Sequence, residues 1–216
     1  MYREVLEGGQ GEIVEKKSRF IATVFPISNE DEAVNIIEQM RKKYWDARHN
    51  CYAYVCGINN EIMKFSDDGE PSQTAGKPML DIITSRELRN VLVVVTRYFG
   101  GELLGTGGLV RAYQQSTKAG IDESILLDME DNVILKIISN YNDIGKIKYI
   151  VASEKYETAS SEYGENVEET ILVPADKKDI FIAKVTQATS ARAKFEEVAR
   201  GYYAVYNGKI IKSRSC

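Results

Sequence analysis

The chain has 216 residues, 44% hydrophobic and 28% charged, with a formal net charge of −4. Those proportions exclude a disordered chain and suit one large domain or two small ones. The negative balance removes the global basic footprint of a nucleic-acid-binding protein, so any such contact must come from a local patch.

No apolar run reaches the roughly 18 residues of a membrane-spanning helix. The opening "MYREVLEGGQGEIVEKKSRF" has neither an apolar core nor a cleavage-site pattern, so the expected compartment is the cytoplasm, with no membrane contact.

In chain order, residues 10–27 read as a strand pair, "RFIATVF" being rich in strand formers. A helix is expected over 29–44, with Asn29 as its cap, acids in the first turn, bases in the last, and Ala33, Ile36, Ile37 and Met40 on one apolar face. A strand over 50–58 turns at Asn59-Asn60 into "EIMKF". Cys51 and Cys56 fall on opposite faces of that strand and can neither pair nor share a metal. With His49 the single histidine, no zinc site is expected.

The stretch "SDDGEPSQTAGKP", residues 66–78, is long and polar, which marks a candidate functional loop. A helix in "MLDIITSRELRN", a strand in "NVLVVVTRYF" and a helix over 106–123 follow. The strand's apolar run does not alternate, so it is expected to be buried on both faces.

After a boundary near 126–131 the pattern restarts as strand 132–139, helix 141–153, strands 155–162 and 167–173, helix 176–188 and strand 191–198. That βαββαβ order is ferredoxin-like. The tail "YYAVYNGKII" carries an Asn-Gly turn and reads as a small hairpin. The expected domains are 1–129 and 130–216.

The segment "RYFGGELLGTGGLVRAY", residues 97–113, places Gly100, Gly101, Gly105, Gly107 and Gly108 between a buried strand and a helix. Such a junction aims free backbone N–H groups and the positive helix end at whatever lies in front. Arg97 and Arg111 flank it with further donors. A P-loop is excluded because no lysine follows the glycines, and the dinucleotide pattern fails at Val110. "TAGKP" repeats the theme, with Thr74, Gly76 and Lys77 at a helix start.

The candidate anion- or nucleic-acid-binding residues are therefore Thr74, Gly76, Lys77, Arg97, Gly105, Thr106, Gly107, Gly108 and Arg111. Asp67, Asp68 and Glu70 could hold magnesium, but they lack calcium-loop spacing, and a solvated acidic turn at Asp68-Gly69 is the simpler reading. His49 has no marked nucleophile beside it and fits a structural hydrogen bond. Tyr52 shares a strand face with Tyr54, as stacked bases would require or as a half-buried sheet would produce. His49, Tyr52, Asp67 and Asp68 are held as supporting residues. No catalytic residue, metal or cofactor is expected.

"KKSRFIA" (16–22), "HNCYAY" (49–54), "FSDDGEPSQTAGKP" (65–78) and "VVVTRYFGGELLGTGGLVRAY" (93–113) together resemble the Impact family in its YigZ-like bacterial branch, and "YNDIGKIKYIV" resembles its small C-terminal domain. The resemblance implies an α+β fold. Its N-terminal domain, 1–129, would be like the second domain of a small-subunit ribosomal protein, a sheet with helices on one face, a fold shared with GHMP-type small-molecule kinases. Its ferredoxin-like domain, 130–216, would be like the last domain of ribosomal translocation factors.

The resemblance also implies RNA or ribosome binding, and, from eukaryotic members, a protein partner in translational control. The chain departs from the family pattern at Gln73, where a glycine is usual. It departs again at Glu102 and Leu103, where an apolar residue and a lysine are usual.

Two functional classes follow. The first is a cytoplasmic nucleic-acid- or ribosome-binding protein in translational or stress regulation, contacting its partner through the two glycine-containing loops. The second is an enzyme acting on a phosphorylated small molecule, with magnesium on Asp67 and Asp68. No general base, nucleophile or nucleotide motif is marked, which favours binding.

Overall fold

Alternation along β7, Val91–Tyr98, organises the first half of the chain, seen here in a computed structural model that describes residues 1–214. Val91, Val93 and Val95 join one core with Phe20, Ala22 and Val24 of β3 (Ser18–Pro26) and Cys51, Ala53 and Val55 of β4 (His49–Cys56). Leu92 and Val94 join a second core with Tyr54 and Cys56. β7 is the central strand of a five-stranded antiparallel sheet, ordered β2-β3-β7-β4-β5, with β2 at Gln10–Glu15 and β5 at Ile62–Ser66.

Each face needs its own cover. The first core is closed by α2 (Gly76–Ser85), through Met79, Leu80, Ile82 and Ile83, and by α3 (Gly105–Asp122), through Leu109, Ala112, Tyr113 and Ile121. The second is closed by α1 (Glu30–Lys43), through Ala33, Ile37 and Met40. The α+β class stands, but the expectation of helices on one face is corrected. A strand apolar on both sides must be covered on both sides.

α1 begins as its sequence dictates. The Asn29 side chain accepts from the Glu32 N–H at 2.8 Å, and the Glu32 carboxylate reaches back to the Ser28 N–H at 2.7 Å. One pairing was not expected. β1 (Tyr2–Glu7) lies parallel to β6 (Leu88–Arg89), and Val5 and Leu88 join the first core.

The chain divides into two compact units, Tyr2–Asp128 with Arg214, and Met129–Ser213 with Met1, the division falling within β8 (Ile125–Ser139). The second unit continues as α4 (Ile144–Glu154), β9 (Thr158–Tyr163), β10 (Val167–Pro174), α5 (Lys178–Ala188) and β11 (Lys194–Tyr206). Its antiparallel strands are ordered β9-β10-β8-β11, the ferredoxin-like arrangement.

Val133, Leu135, Ile137, Ile171 and Val173 of this sheet pack on Ile147, Val151, Phe181 and Val185 of the two helices. β12 (Lys209–Lys212) returns along β11 through Asn207-Gly208, whose φ values of 50° and 70° are those of a type I′ hairpin turn. Among the described residues no helix is long and apolar enough to cross a membrane.

Candidate functional site

The acidic loop folds back on itself. Asp68 and Gly69 take φ values of 43° and 86°, and the Glu70 N–H closes the turn on the Asp67 carbonyl at 2.9 Å. The Asp67 carboxylate then accepts three backbone N–H groups, from Gln73 at 2.8 Å, Ala75 at 3.0 Å and Gly76 at 2.8 Å. Gly76 opens α2 and Ala75 is its cap position, so the positive end of that helix is already met by a side chain of the same loop.

This corrects the expectation that Thr74, Gly76 and Lys77 form an anion site. The Thr74 hydroxyl is buried and donates to the Pro71 carbonyl at 2.6 Å, and Lys77 pairs with Asp81 one turn along. The turn expected at Asp68-Gly69 is present, with Gly69 exposed, but the carboxylates of Asp67 and Asp68 are engaged by protein donors. Asp68 accepts from the Asn50 N–H at 2.7 Å and from Arg41 at 2.9 Å.

The start of α3 is different. Leu104, which precedes it, makes no side-chain capping bond, and Gly105, Thr106 and Gly107 are exposed. Gly105 has a φ of 71°, which favours glycine, and a Cβ built there would meet nothing within 4 Å. Gly100 serves packing instead: a Cβ there would stand 2.1 Å from the Lys17 carbonyl carbon. Arg111 is exposed, and its Nη1 lies 3.7 Å from the Cβ position of Gly107. Among the described residues Arg111 makes no hydrogen bond or ion pair. Glu102, at the loop tip, pairs with Lys16 at 3.3 Å.

Between the two loops lies a cleft of about 490 Å³, lined by Arg48, His49, Gly69, Glu70, Pro71, Arg97, Phe99, Leu103, Leu104, Gly105, Thr106 and Leu109. Of the residues singled out in the sequence it brings together His49, Arg97, Gly105 and Thr106. Arg97 is only 4% exposed. Its Nη1 donates to Glu70 Oε1, which also accepts from the Tyr113 hydroxyl at 2.8 Å. Its Nε is buried without a partner. The guanidinium lies 5.2 Å from the Phe20 ring centre and 5.7 Å from that of Phe99.

His49 Nδ1 is 2.8 Å from the Asp68 carbonyl and so carries its hydrogen there, while Nε2 stands 3.8 Å from Glu70 Oε2, too far for a hydrogen bond. Burial raises the pKa of both the Tyr113 hydroxyl and the Cys51 thiol, the latter 3.3 Å from the Tyr113 oxygen, so both stay protonated as donors.

Tyr52 does not belong here. It stacks on Tyr54 at 6.2 Å, against the core under α1 on the other side of the sheet. Sequence reasoning left Glu70 out of the site and missed Arg48, Phe99 and Tyr113. The available signal was parity: Arg97 follows Val91, Val93 and Val95 at spacings of two, which puts its charge on an apolar face and demands a buried carboxylate.

With this geometry in hand, comparison places the chain. Residues 16–121 match the Impact N-terminal domain, and residues 137–192 match a domain of unknown function (DUF1949). The IMPACT family member YvyE of Bacillus subtilis (strain 168) is 39% identical over 91% of this chain and 90% of its own length.

The chain belongs to the IMPACT family. Another IMPACT family member, YigZ of Escherichia coli (strain K12), is 34% identical over 79% of this chain and 84% of its own. The Protein IMPACT homolog of Dictyostelium discoideum is 39% identical over 43% of this chain and 28% of its own. A solved structure known as the crystal structure of a hypothetical protein is 28% identical, covers 92% of this chain and 97% of its own, and superposes with a TM-score of 0.56. In this IMPACT family chain, "SDDGEP" thus builds a helix cap and a cleft floor, and "GTGGLVRAY" builds the open helix start above them.

Proposed function

We propose that the protein is a binding protein of translational or stress regulation, and that it grips the phosphate backbone of RNA at the start of α3. The observation that carries this reading is the contrast between the two helix starts. Asp67 accepts from Ala75 and Gly76 at the start of α2, whereas no side chain caps the start of α3, where the Gly105 Cβ position is clear to 4 Å and exposed Arg111 lies alongside. A helix N-terminus with a neighbouring guanidinium is a natural seat for a phosphate. Arg48, exposed at the cleft, supplies a second cation. With a net charge of −4 the patch is local, so the affinity is modest and best read at low salt.

The test is a titration with RNA across a salt series. Wild-type affinity falls steeply with salt, and Arg111→Ala weakens binding and flattens the slope by about one unit, with little change in sequence preference. Identical binding and slope for wild type and an Arg48→Ala, Arg111→Ala double variant would remove RNA from this site.

A further inference from the structure

The backbone grip leaves the floor of the cleft without a role, and that floor has its own chemistry. Glu70 Oε1 is occupied by Arg97 and Tyr113, while Oε2 makes no hydrogen bond among the described residues. Arg97, in a side chain only 5% exposed, gives Nη1 to Glu70, while its Nε is buried without a partner and its Nη2 makes no hydrogen bond among the described residues. The pair thus presents an open acceptor beside an open donor to whatever enters the cleft. His49 Nε2 lies on the same floor, 3.8 Å from Glu70 Oε2.

The walls are of another kind. Leu104 and Leu109 are apolar, and Phe99, 38% exposed, carries the Arg48 guanidinium 5.2 Å from its ring centre. Aromatic rings and guanidinium planes are the surfaces on which unpaired bases stack. The mouth of the cleft includes Gly105 and Thr106 of the open helix start.

From this we infer that the cleft receives one unpaired nucleotide of a single-stranded RNA. The base lies between the Phe99–Arg48 wall and the leucines, and its hydrogen-bonding edge completes Glu70 Oε2 and Arg97 Nη2. Its phosphate sits at the start of α3. A base suits the floor because the Watson–Crick edge of every base presents a donor beside an acceptor. Duplex RNA does not suit it, because there those edges are already paired. The inference rests on the RNA reading above and adds the strandedness and the base pocket to it.

The experiment is a low-salt titration of the full chain with three labelled RNAs: a single strand of about eight nucleotides, within the usual site size, the same strand annealed to its complement, and the same sugar-phosphate strand without bases. The intact single strand is expected to bind about tenfold more tightly than either of the others, the lower end of a stacking contribution.

Phe99→Ala, which removes a wall, is expected to erase that advantage, bringing the affinity for the intact single strand down to that for the strand without bases. Thr106→Trp, which fills the mouth without removing a charge, decides the matter if Phe99→Ala fails to fold by thermal melting. Equal affinity for all three RNAs overturns the base pocket and leaves the backbone reading standing. Binding of free mononucleotides with no binding of any RNA overturns the RNA source. No binding of either overturns both.

Discussion

The two helix starts of the first domain use similar residues to opposite ends. "DDGEPSQTAGK" ends in a helix whose opening residue Gly76, its cap Ala75 and Gln73 before it all give their N–H groups to Asp67, six to nine residues upstream, so this loop is closed on itself. "GGELLGTGG" ends in a helix whose first turn no side chain caps. A glycine-rich helix start is therefore not in itself a ligand site. What decides is whether the chain supplies its own carboxylate. α4 is a third case: Asp143 precedes it, but the carboxylate is held by Arg192 at 2.7 and 2.8 Å and by Lys146 at 3.1 Å, with no capping bond.

The comparison can be broken at Glu70, which belongs to the closed loop and floors the cleft beside the open one. Glu70→Gln leaves the Arg97 guanidinium buried without a countercharge and is expected to cost about 3–5 kcal/mol, read as a shift of the denaturant midpoint. A loss below about 1 kcal/mol would mean that the pair is not buried as described.

Asp67→Ala follows, at about 2–3 kcal/mol for the lost charge-assisted bonds to the α2 start. It also sharpens the contrast. The freed donors become an anion seat, so sulfate should raise the melting temperature of the variant more than that of wild type. Equal sulfate responses would count against the capping account.

Asp143 gives a pH signature. Its hydrogen bonds to Arg192, with Lys146 beside it, hold its carboxyl well below the usual carboxylate range. A depressed folded pKa contributes stability that is fully present above the unfolded value of about 3.9 and is lost as pH falls through the folded one. Asp143→Asn should therefore be less stable than wild type at neutral pH, with the gap closing progressively below about pH 4. A gap that stays constant on acidification would remove the ion pair as its cause.

The smallest effect belongs to Gln73, which holds a φ of 61° where glycine would sit without strain. Gln73→Gly relieves about 1 kcal/mol of backbone strain but frees the unfolded chain by a similar amount, so stability should move by less than about 0.5 kcal/mol. A large loss would show that the side chain itself is needed.

Much of the fold was legible because its signals are local. Asn29 and Glu32 mark the start of α1 within four residues, the valines of β7 declare two covers, and Asn207-Gly208 declares its hairpin. The parallel pairing of β1 with β6 was not legible, since it joins Tyr2–Glu7 to a two-residue strand more than eighty positions away. The site was legible in half. Length and polarity located one loop and glycine content the other, but not which was closed, because the answer is the direction in which Asp67 turns. Arg97 was visible and Glu70 was read only as one acid among three, because their pairing spans 27 residues.

The parity of β7 also sets what kinds of genetic change the protein survives. A residue added or removed in an exposed loop shifts nothing beyond it. The same event between Val91 and Val95 turns every later residue over, sending Arg97 to the side of Ala33, Ile37 and Met40 and leaving Glu70 with no cation. Length variation among descendants of this sequence should thus accumulate in its loops and be absent from those five positions, where the cleft and both cores are read in a single frame.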